Sequence, residues 1–210
     1  MKENYVIKEI DFKTAMDVLI KNHYLHRQAP YSHAYGLFEK ETDKLVGVVN
    51  YGVPASTTLL RGICGEEEKS NIYELNRLWI DDSVPKNGES FLVGNTLKLL
   101  DKEIIVSFVD TSQGHTGYVY QATNFLYTGL SAKFYDYVVK GKENMHRTTY
   151  AYGMTVAQIK ETYGEDNVYR KERPRKHRYI YFNAKKKRKN ELTKKLKYKV
   201  LPYPKTKEEE

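Results

Sequence analysis

Three side chains capable of acid–base or metal chemistry lie close together in the stretch VSFVDTSQGHTGYVYQ, residues 106–121. An apolar run ends in Asp110, a polar loop with His115 follows, and Tyr120 comes shortly after it. In α/β proteins, reactive groups collect at the carboxyl ends of strands, where the loops begin. The pattern therefore predicts either a reactive carboxylate or an ordinary strand–turn–helix in which Asp110 caps the next segment.

A second cluster of candidate residues lies in the loop NHYLHRQAPYSH, residues 22–33. If the fold brings His23 and His26 together with Asp110 and His115, two histidines and a carboxylate would form a ligand set that suits Fe(II). The same histidines could instead be surface residues or contacts to nucleic acid. Both interpretations remain open at the level of the sequence.

Positive charge is concentrated in residues 170–199, which hold 15 Lys and Arg against two acidic residues, within a chain of net charge +8. A cationic segment on a mildly acidic body is typical of a polyanion-binding extension. Three aromatic residues inside the basic block favour nucleic acid over a membrane surface or a solvating run. The residues expected to contact it are Arg175, Lys176, His177, Arg178, Tyr179, Lys185, Lys186, Lys187 and Arg188.

Length and composition indicate a protein of one domain with an appendage. The chain has 210 residues, 40% of them hydrophobic and 30% charged, which suffices for a substantial core. No apolar run reaches the length of a membrane span, and the start lacks the apolar stretch of a signal peptide. A single cysteine, Cys64, excludes a disulfide framework. We therefore expect a cytoplasmic protein with no membrane partner.

The elements that position these groups alternate between strands and helices. Hydrophobic patterning predicts strands at residues 5–10, 33–39, 45–51, 73–80, 104–109 and 134–139. It predicts helices at about 12–21, 89–100, 115–124 and 156–163, with an irregular excursion over 52–72. This order predicts a mixed α/β fold with a catalytic domain over residues 1–165 and a basic C-terminal extension over 166–210.

The element order resembles that of the GNAT acyltransferases, a mixed sheet with flanking helices. The stretch Val119–Phe125 has the spacing that this family uses at the end of its fourth helix, with Asn124 in place of the usual glycine. Asparagine tolerates a left-handed backbone better than most residues, so the departure is mild. The resemblance implies an acyl donor such as acetyl-CoA.

The loop over residues 81–90 departs further from the GNAT pattern. In that family, backbone N–H groups of a basic, glycine-rich loop cradle the pyrophosphate of coenzyme A at a helix N-terminus. The resemblance assigns this task to Lys86, Gly88 and Ser90. Three acidic residues of the loop would repel phosphate, namely Asp81, Asp82 and Glu89.

Six short motifs follow one another in a fixed order between residues 20 and 182. They are NHY at 22–24, ELNRLW at 74–79, Asp110, GH at 114–115, YQA at 120–122 and KHRY at 176–179. This set resembles the Mom family of bacteriophage DNA modification proteins. The resemblance implies a GNAT-like enzyme that converts adenine in double-stranded DNA to an N6-carbamoylmethyl (acetamido) derivative. The modified DNA would resist host restriction, in the cytoplasm of a bacterial host cell. Acetyl-CoA and bound iron are further implications.

The expected chemistry assigns roles to individual residues. Adenine N6 points into the base pair, so the enzyme must flip the base out of the duplex. Either Asp110 or a metal-free His23 would then accept the proton that N6 loses. Tyr24 is among the rings available to sandwich the purine, and the GNAT pattern makes Tyr120 an acid for a departing thiolate. Glu74 and Arg77 either pair with each other or line the pocket. The alternatives are a conventional N-acetyltransferase acting on a protein or small amine, and a non-catalytic DNA-binding protein.

Overall fold

Nine strands and seven helices make up the regular structure in the computed structural model, which describes residues 1–143, 145 and 147–205. The strands are β1 (Tyr5–Ile10), β2 (His33–Glu39), β3 (Leu45–Gly52), β4 (Ile72–Ile80), β5 (Ile104–Asp110), β6 (Leu126–Leu130), β7 (Tyr135–Val139), β8 (Val168–Glu172) and β9 (Lys176–Phe182). The helices are α1 (Phe12–Asn22), α2 (Thr57–Cys64), α3 (Gly88–Thr96), α4 (Tyr118–Ala122), α5 (Arg147–Ala151), α6 (Val156–Tyr163) and α7 (Lys186–Lys195). Among the helices of this described part, none is long and apolar enough to cross a membrane.

The central sheet has the strand order β1-β2-β3-β4-β5-β9-β6, and β7 and β8 form a separate ribbon. All neighbours in the sheet are antiparallel except β4 and β5. Their parallel pairing joins Ile72–Leu75 to Ile104–Ser107 and goes no further. The two strands therefore diverge beyond Leu75 and Ser107 and open a cleft at their carboxyl ends. The predicted mixed α/β sheet with flanking helices is confirmed.

Local sequence signals account for the elements that were predicted. Strands β1 and β2 have the expected bounds, and α1 begins after Asp11, whose carboxylate accepts the Thr14 N–H at 2.7 Å. Helix α6 begins with a capping box between Thr155 and Gln158. Two predicted elements differ: residues 52–72 contain α2, capped by Ser56, and the helix predicted over about 89–100 is α-helical only to Thr96.

The predicted boundary between a domain over 1–165 and an extension over 166–210 is not observed. Strand β9 lies between β5 and β6 in the sheet, and its Tyr179 and Ile180 are fully buried. Helix α7 packs on the same side as α2 through Leu192, which is also buried. The basic segment is therefore part of the fold, because β9 completes the sheet and α7 covers part of one of its two faces.

Ion pairs hold the basic helix α7 against the acidic turn that follows α2. Glu68 is only 5% exposed and accepts hydrogen bonds from Arg188 at 2.7 Å and Lys195 at 2.8 Å. Arg188 also donates to Glu103 at 2.9 Å. Burial alone would raise the pKa of Glu68, but these hydrogen bonds outweigh it and lower the pKa to about 2. The network therefore stabilises the position of α7.

We expect Glu68→Gln to destabilise the protein by about 3 kcal/mol at pH 7, because the ionised form is favoured in the folded state. The pKa of Glu68 lies below the ordinary value of 4.5, so its contribution is fully present above pH 4.5 and is lost as the pH falls towards 2. Urea unfolding over this pH range should show that the free energy of unfolding depends less on pH in the variant than in the wild type. The exposed neighbour Glu67, also paired with Lys195, is the control, and Glu67→Gln should cost less than about 1 kcal/mol. Equal losses for the two variants would contradict the prediction.

Candidate active site

A cleft of about 360 Å³ opens where β4 and β5 diverge. The end of each strand forms one wall, and the rest of the lining comes from the loop after α1, Glu89 of α3, and the loop that leads into the start of α4. Five residues predicted from the sequence line it, namely His23, Tyr24, Asp110, His115 and Tyr120. Segments far apart in the chain therefore meet at one place, where titratable and aromatic side chains surround a space large enough for a nucleobase.

Asp110 is both a turn cap and a wall of the cleft. Its Oδ1 accepts hydrogen bonds from the backbone N–H of Ser112 at 2.9 Å and from its hydroxyl at 2.7 Å, which begins a 3₁₀ turn. The hydrogen bonds described for this carboxylate all end on Oδ1. The second oxygen is therefore available to a substrate, and the two interpretations of Asp110 are compatible.

His23 ends α1 and is half-buried in the cleft. Burial lowers its pKa to about 4, with further lowering by the charge of Arg77, so the ring is neutral at pH 7. Its Nδ1 accepts the Leu25 N–H at 3.2 Å, which leaves the ring proton on Nε2. His23 is consequently a hydrogen-bond donor and a weak base.

The predicted iron ligand set is not assembled. His26 does not line the cleft, and its Nδ1 donates to the carbonyl oxygen of Ile20 at 2.9 Å. Among the residues that the structure describes, no group of three or more His, Cys, Asp or Glu side chains could hold a metal ion. His115 lines the cleft as an exposed residue. His26 is kept apart from the cleft residues because its left-handed backbone turns its ring back onto α1.

Tyr24 stacks on His23, with ring centroids 4.5 Å apart and planes at 28°. The side chain is 49% exposed, so one face of the ring remains accessible. Partial burial and the nearby charge of Asp110 raise the pKa of Tyr24 and keep its hydroxyl protonated. The pair forms an aromatic platform at the mouth of the cleft.

Tyr120 lies deeper, on α4, and packs between Phe125 and Tyr179. Burial raises its pKa to about 12, although a hydrogen bond with Ser107 opposes the shift. Gly117, just before α4, has a φ of 84°, and a Cβ there would lie 2.7 Å from the Tyr179 ring. Glycine at this position lets the loop approach β9 and places Tyr120 against the cleft.

Arg77 is a functional candidate whose role the sequence left undecided. It is 8% exposed and lines the cleft, and its Nη1 donates to the carbonyl oxygen of Asn76 at 2.6 Å. Its Nε is buried and has no hydrogen-bond partner among the described residues. No ion pair within 4 Å joins it to Glu74 in the described part of the chain, although the two charges interact, so their pairing stays a prediction while the position of Arg77 in the cleft lining is shown. The signal in the sequence was a charged residue inside an apolar strand.

The loop predicted to hold the coenzyme A pyrophosphate does not provide a phosphate cradle. The N–H of Gly88 already donates to the carbonyl oxygen of Pro85 at 3.1 Å, and Ser90 donates its hydroxyl to the carbonyl oxygen of Asn87. Lys86 is exposed, and three acidic residues, Asp81, Asp82 and Glu89, lie in the same segment. The donor groups present therefore do not fit coenzyme A bound in the usual manner.

Some residues predicted to contact DNA are buried or form ion pairs within the protein. Tyr179 and Phe182 are buried in β9, so the interpretation that these rings grip nucleic acid is wrong. Arg188 is engaged with Glu68 and Glu103. Strand alternation and pairing at both edges of β9 placed these side chains inside, which charge alone could not indicate.

Other basic residues of the segment do lie at the surface. Residues 185–187 are exposed at the start of α7. Arg175 donates from Nε to a backbone carbonyl just after β6 at 2.7 Å, and His177 contacts the Tyr127 hydroxyl at 2.9 Å. Arg178 donates to Thr128, while Lys176 lies half-buried at the edge of the cleft strand β5. DNA binding by this segment remains a prediction.

Solved structures with a similar fold include a GNAT family acetyltransferase from Bacillus cereus and a spermidine/spermine N-acetyltransferase from Vibrio cholerae in complex with manganese ions. The first is 11% identical, with 86% of this chain and 99% of that chain covered and a TM-score of 0.47. The second is 10% identical, with 89% and 97% covered and a TM-score of 0.48.

Sequence comparison finds a much stronger likeness. The chain is 32% identical over 220 residues to the methylcarbamoylase Mom of Escherichia phage Mu, covering 96% of this chain and 86% of that protein. The model of the Mom protein family matches residues 4–205, which include every element that lines the cleft. The chain therefore belongs to the Mom protein family.

Proposed function

We propose that this protein is a phage DNA-modification enzyme that converts adenine in double-stranded DNA to its N6-carbamoylmethyl derivative and so protects the DNA from host restriction. The observation that carries the proposal is the meeting of His23, Tyr24, Asp110 and Tyr120 in one cleft of a Mom family protein. Similarity to a methylcarbamoylase supports the transferred group. The enzyme would act in the cytoplasm of the bacterial host.

The platform formed by Tyr24 and His23 suits a flipped adenine. In a duplex, N6 is paired and the edge of the base is inaccessible, so the enzyme must rotate the base out of the stack. The exposed face of Tyr24 can stack on the purine, since the ring is already fixed on its other side by His23.

Asp110 is the proton acceptor in this scheme. The N6 lone pair is delocalised, so the nitrogen becomes a useful nucleophile only as its proton is removed. Asp110 lines the cleft, and the carboxylate oxygen that does not cap the turn can take this proton as the new N–C bond forms. His23 is unsuited to the task because its pKa of about 4 makes it a weak base.

Arg77 and Tyr120 serve the other side of the reaction. Arg77 provides a positive charge in the wall of the cleft, which can attract a negatively charged group of the donor. Tyr120 keeps its proton, since burial raises its pKa to about 12, and can donate a hydrogen bond to the leaving group. The co-substrate carries the carbamoylmethyl group on a leaving group: N6 bonds to its CH₂ carbon as the bond from that carbon to the leaving group breaks and Asp110 takes the N6 proton. It binds without a pyrophosphate cradle at residues 81–90.

Mass spectrometry of nucleosides tests the proposal. DNA from bacterial cells that express the protein should contain an adenine nucleoside heavier by one carbamoylmethyl group, absent from cells with an empty vector. The same DNA should resist restriction enzymes whose sites contain adenine. Acetylated protein or small amines without a DNA adduct would indicate a conventional N-acetyltransferase. Neither product, with folded protein present, would indicate a non-catalytic DNA-binding protein.

A further inference from the structure

A second cavity of about 640 Å³ adjoins the cleft and has Phe108 as a shared lining residue. We call it the side groove. It lies on the face of the sheet that α2 and α7 cover, at the open end of β5 and the start of β9. Cationic and aromatic side chains dominate its lining, namely Phe108, Phe134, Arg173, Lys176, Arg178 and Tyr198.

The strand register makes the side groove continuous with the reactive carboxylate. Asp110 lies opposite Lys176 in the β5–β9 pairing, and Phe108 lies opposite Arg178. These four residues share one face of the sheet, because alternate residues of a strand point to the same side. A bound polymer that extends out of the cleft past Phe108 therefore enters the side groove directly.

The cations of the side groove differ in their partners, and only Arg173 among them forms an ion pair in the described part of the chain. Arg178 lies 3.3 Å above the Tyr198 ring and donates to Thr128 from Nε and Nη2, so its orientation is set. In the described part of the chain, the Lys176 ammonium forms no ion pair or hydrogen bond. Arg173 is paired with Asp136. Fixed cations with remaining donor capacity are suited to phosphate.

An exposed aromatic side chain completes this arrangement. Phe134 is 61% exposed and lies beside Pro174 in the lining. A ring that faces solvent beside cations is the combination that single-stranded nucleic acid binds, with the base stacked and the phosphate held by charge. The remaining lining is apolar or uncharged and polar, so no carboxylate opposes a polyanion within the described lining.

We propose that the side groove binds the nucleotide next to the flipped adenine on the same DNA strand, with its phosphate at Lys176 and Arg178 and its base on Phe134. The proposal rests on the proposed function, since it takes the flipped adenine to occupy the cleft. Phe108 then lies between two successive nucleotides and keeps the neighbour from following the adenine into the cleft. The groove thereby extends recognition from the target base to the strand that carries it.

The test uses the full-length protein and oligonucleotide duplexes, without catalysis. One duplex holds a central adenine opposite an abasic site, with 5-iodouracil as the next base, and the other is fully paired. Light should cross-link the 5-iodouracil to the peptide that contains Phe134. Phe134→Ala should weaken binding of the duplex with the unpaired adenine about tenfold and leave the fully paired duplex nearly unchanged. Lys176→Gln should lower the slope of log affinity against log salt by about one.

Matched controls separate this site from general charge and stability effects. Leu99→Ala removes an exposed apolar side chain away from the groove, and Lys2→Gln removes an exposed charge, and both should bind as the wild type does. The triple substitution Lys185→Gln, Lys186→Gln and Lys187→Gln should weaken the binding of both duplexes alike. Thermal unfolding establishes that each variant is folded.

Three outcomes would overturn the proposal. Cross-links outside the groove with unchanged binding by both variants would show that the neighbouring nucleotide lies elsewhere, while the proposed function stands. Normal DNA binding by Phe134→Ala and Lys176→Gln, with a reduced adduct yield in DNA from cells that express them, would assign the groove to the donor. If the wild type binds neither duplex, the proposed function itself fails, and this inference fails with it.

Discussion

Asp110→Asn should lower adenine modification about a hundredfold or more in a protein that still folds and binds DNA. Asparagine retains an Oδ1 that can accept both hydrogen bonds from Ser112, so the 3₁₀ turn should persist. The substitution removes the charge and hence the capacity to accept the N6 proton. Quantifying the adenine adduct in cellular DNA, alongside restriction resistance, measures the effect.

Asp11 provides a control of the same chemistry outside the cleft. Its Oδ1 caps α1 by accepting the Thr14 N–H at 2.7 Å, and it does not line the cleft. Asp11→Asn should therefore leave modification at the wild-type level and cost at most about 1 kcal/mol of stability. If DNA from cells with Asp110→Asn carried the adduct at the normal level, Asp110 would be only a turn cap and the reactive site would lie elsewhere.

Arg77→Met should also lower modification about a hundredfold, since it removes a preorganised positive charge from a partly closed site. Methionine fills much of the same volume without a charge, so the β4 strand should remain packed. Because the charge of Arg77 lowers the pKa of His23, the variant should also raise that pKa from about 4. Titration of the His23 ring by nuclear magnetic resonance measures this shift independently of catalysis.

Arg61 is the matched control for this substitution. It lies on the surface of α2 and pairs with Glu66 at 2.7 Å, away from the cleft. Arg61→Met should change neither the adduct level nor the pKa of His23. A raised His23 pKa with normal modification by Arg77→Met would show that Arg77 adjusts its neighbour without serving the reaction.

Much of the local structure could be predicted because its causes are local. The Asp11 cap and the spacing of apolar residues specify α1, and the Thr155–Gln158 capping box specifies α6. The end of an apolar run at Asp110 predicted a carboxylate at the carboxyl end of a strand, and the structure places it in the cleft. Motif order also predicted the family to which the chain belongs.

Local patterns were therefore sufficient to predict several elements, the family and several cleft residues. The place of β9 in the sheet could not be predicted in this way, because its partners β5 and β6 lie far away in the chain and pairing energy depends on all three strands. That pairing buries Tyr179 and places Lys176 beside Asp110. The direction of the His26 ring and the burial of Arg77 were likewise set by packing between distant segments, which no local pattern encodes.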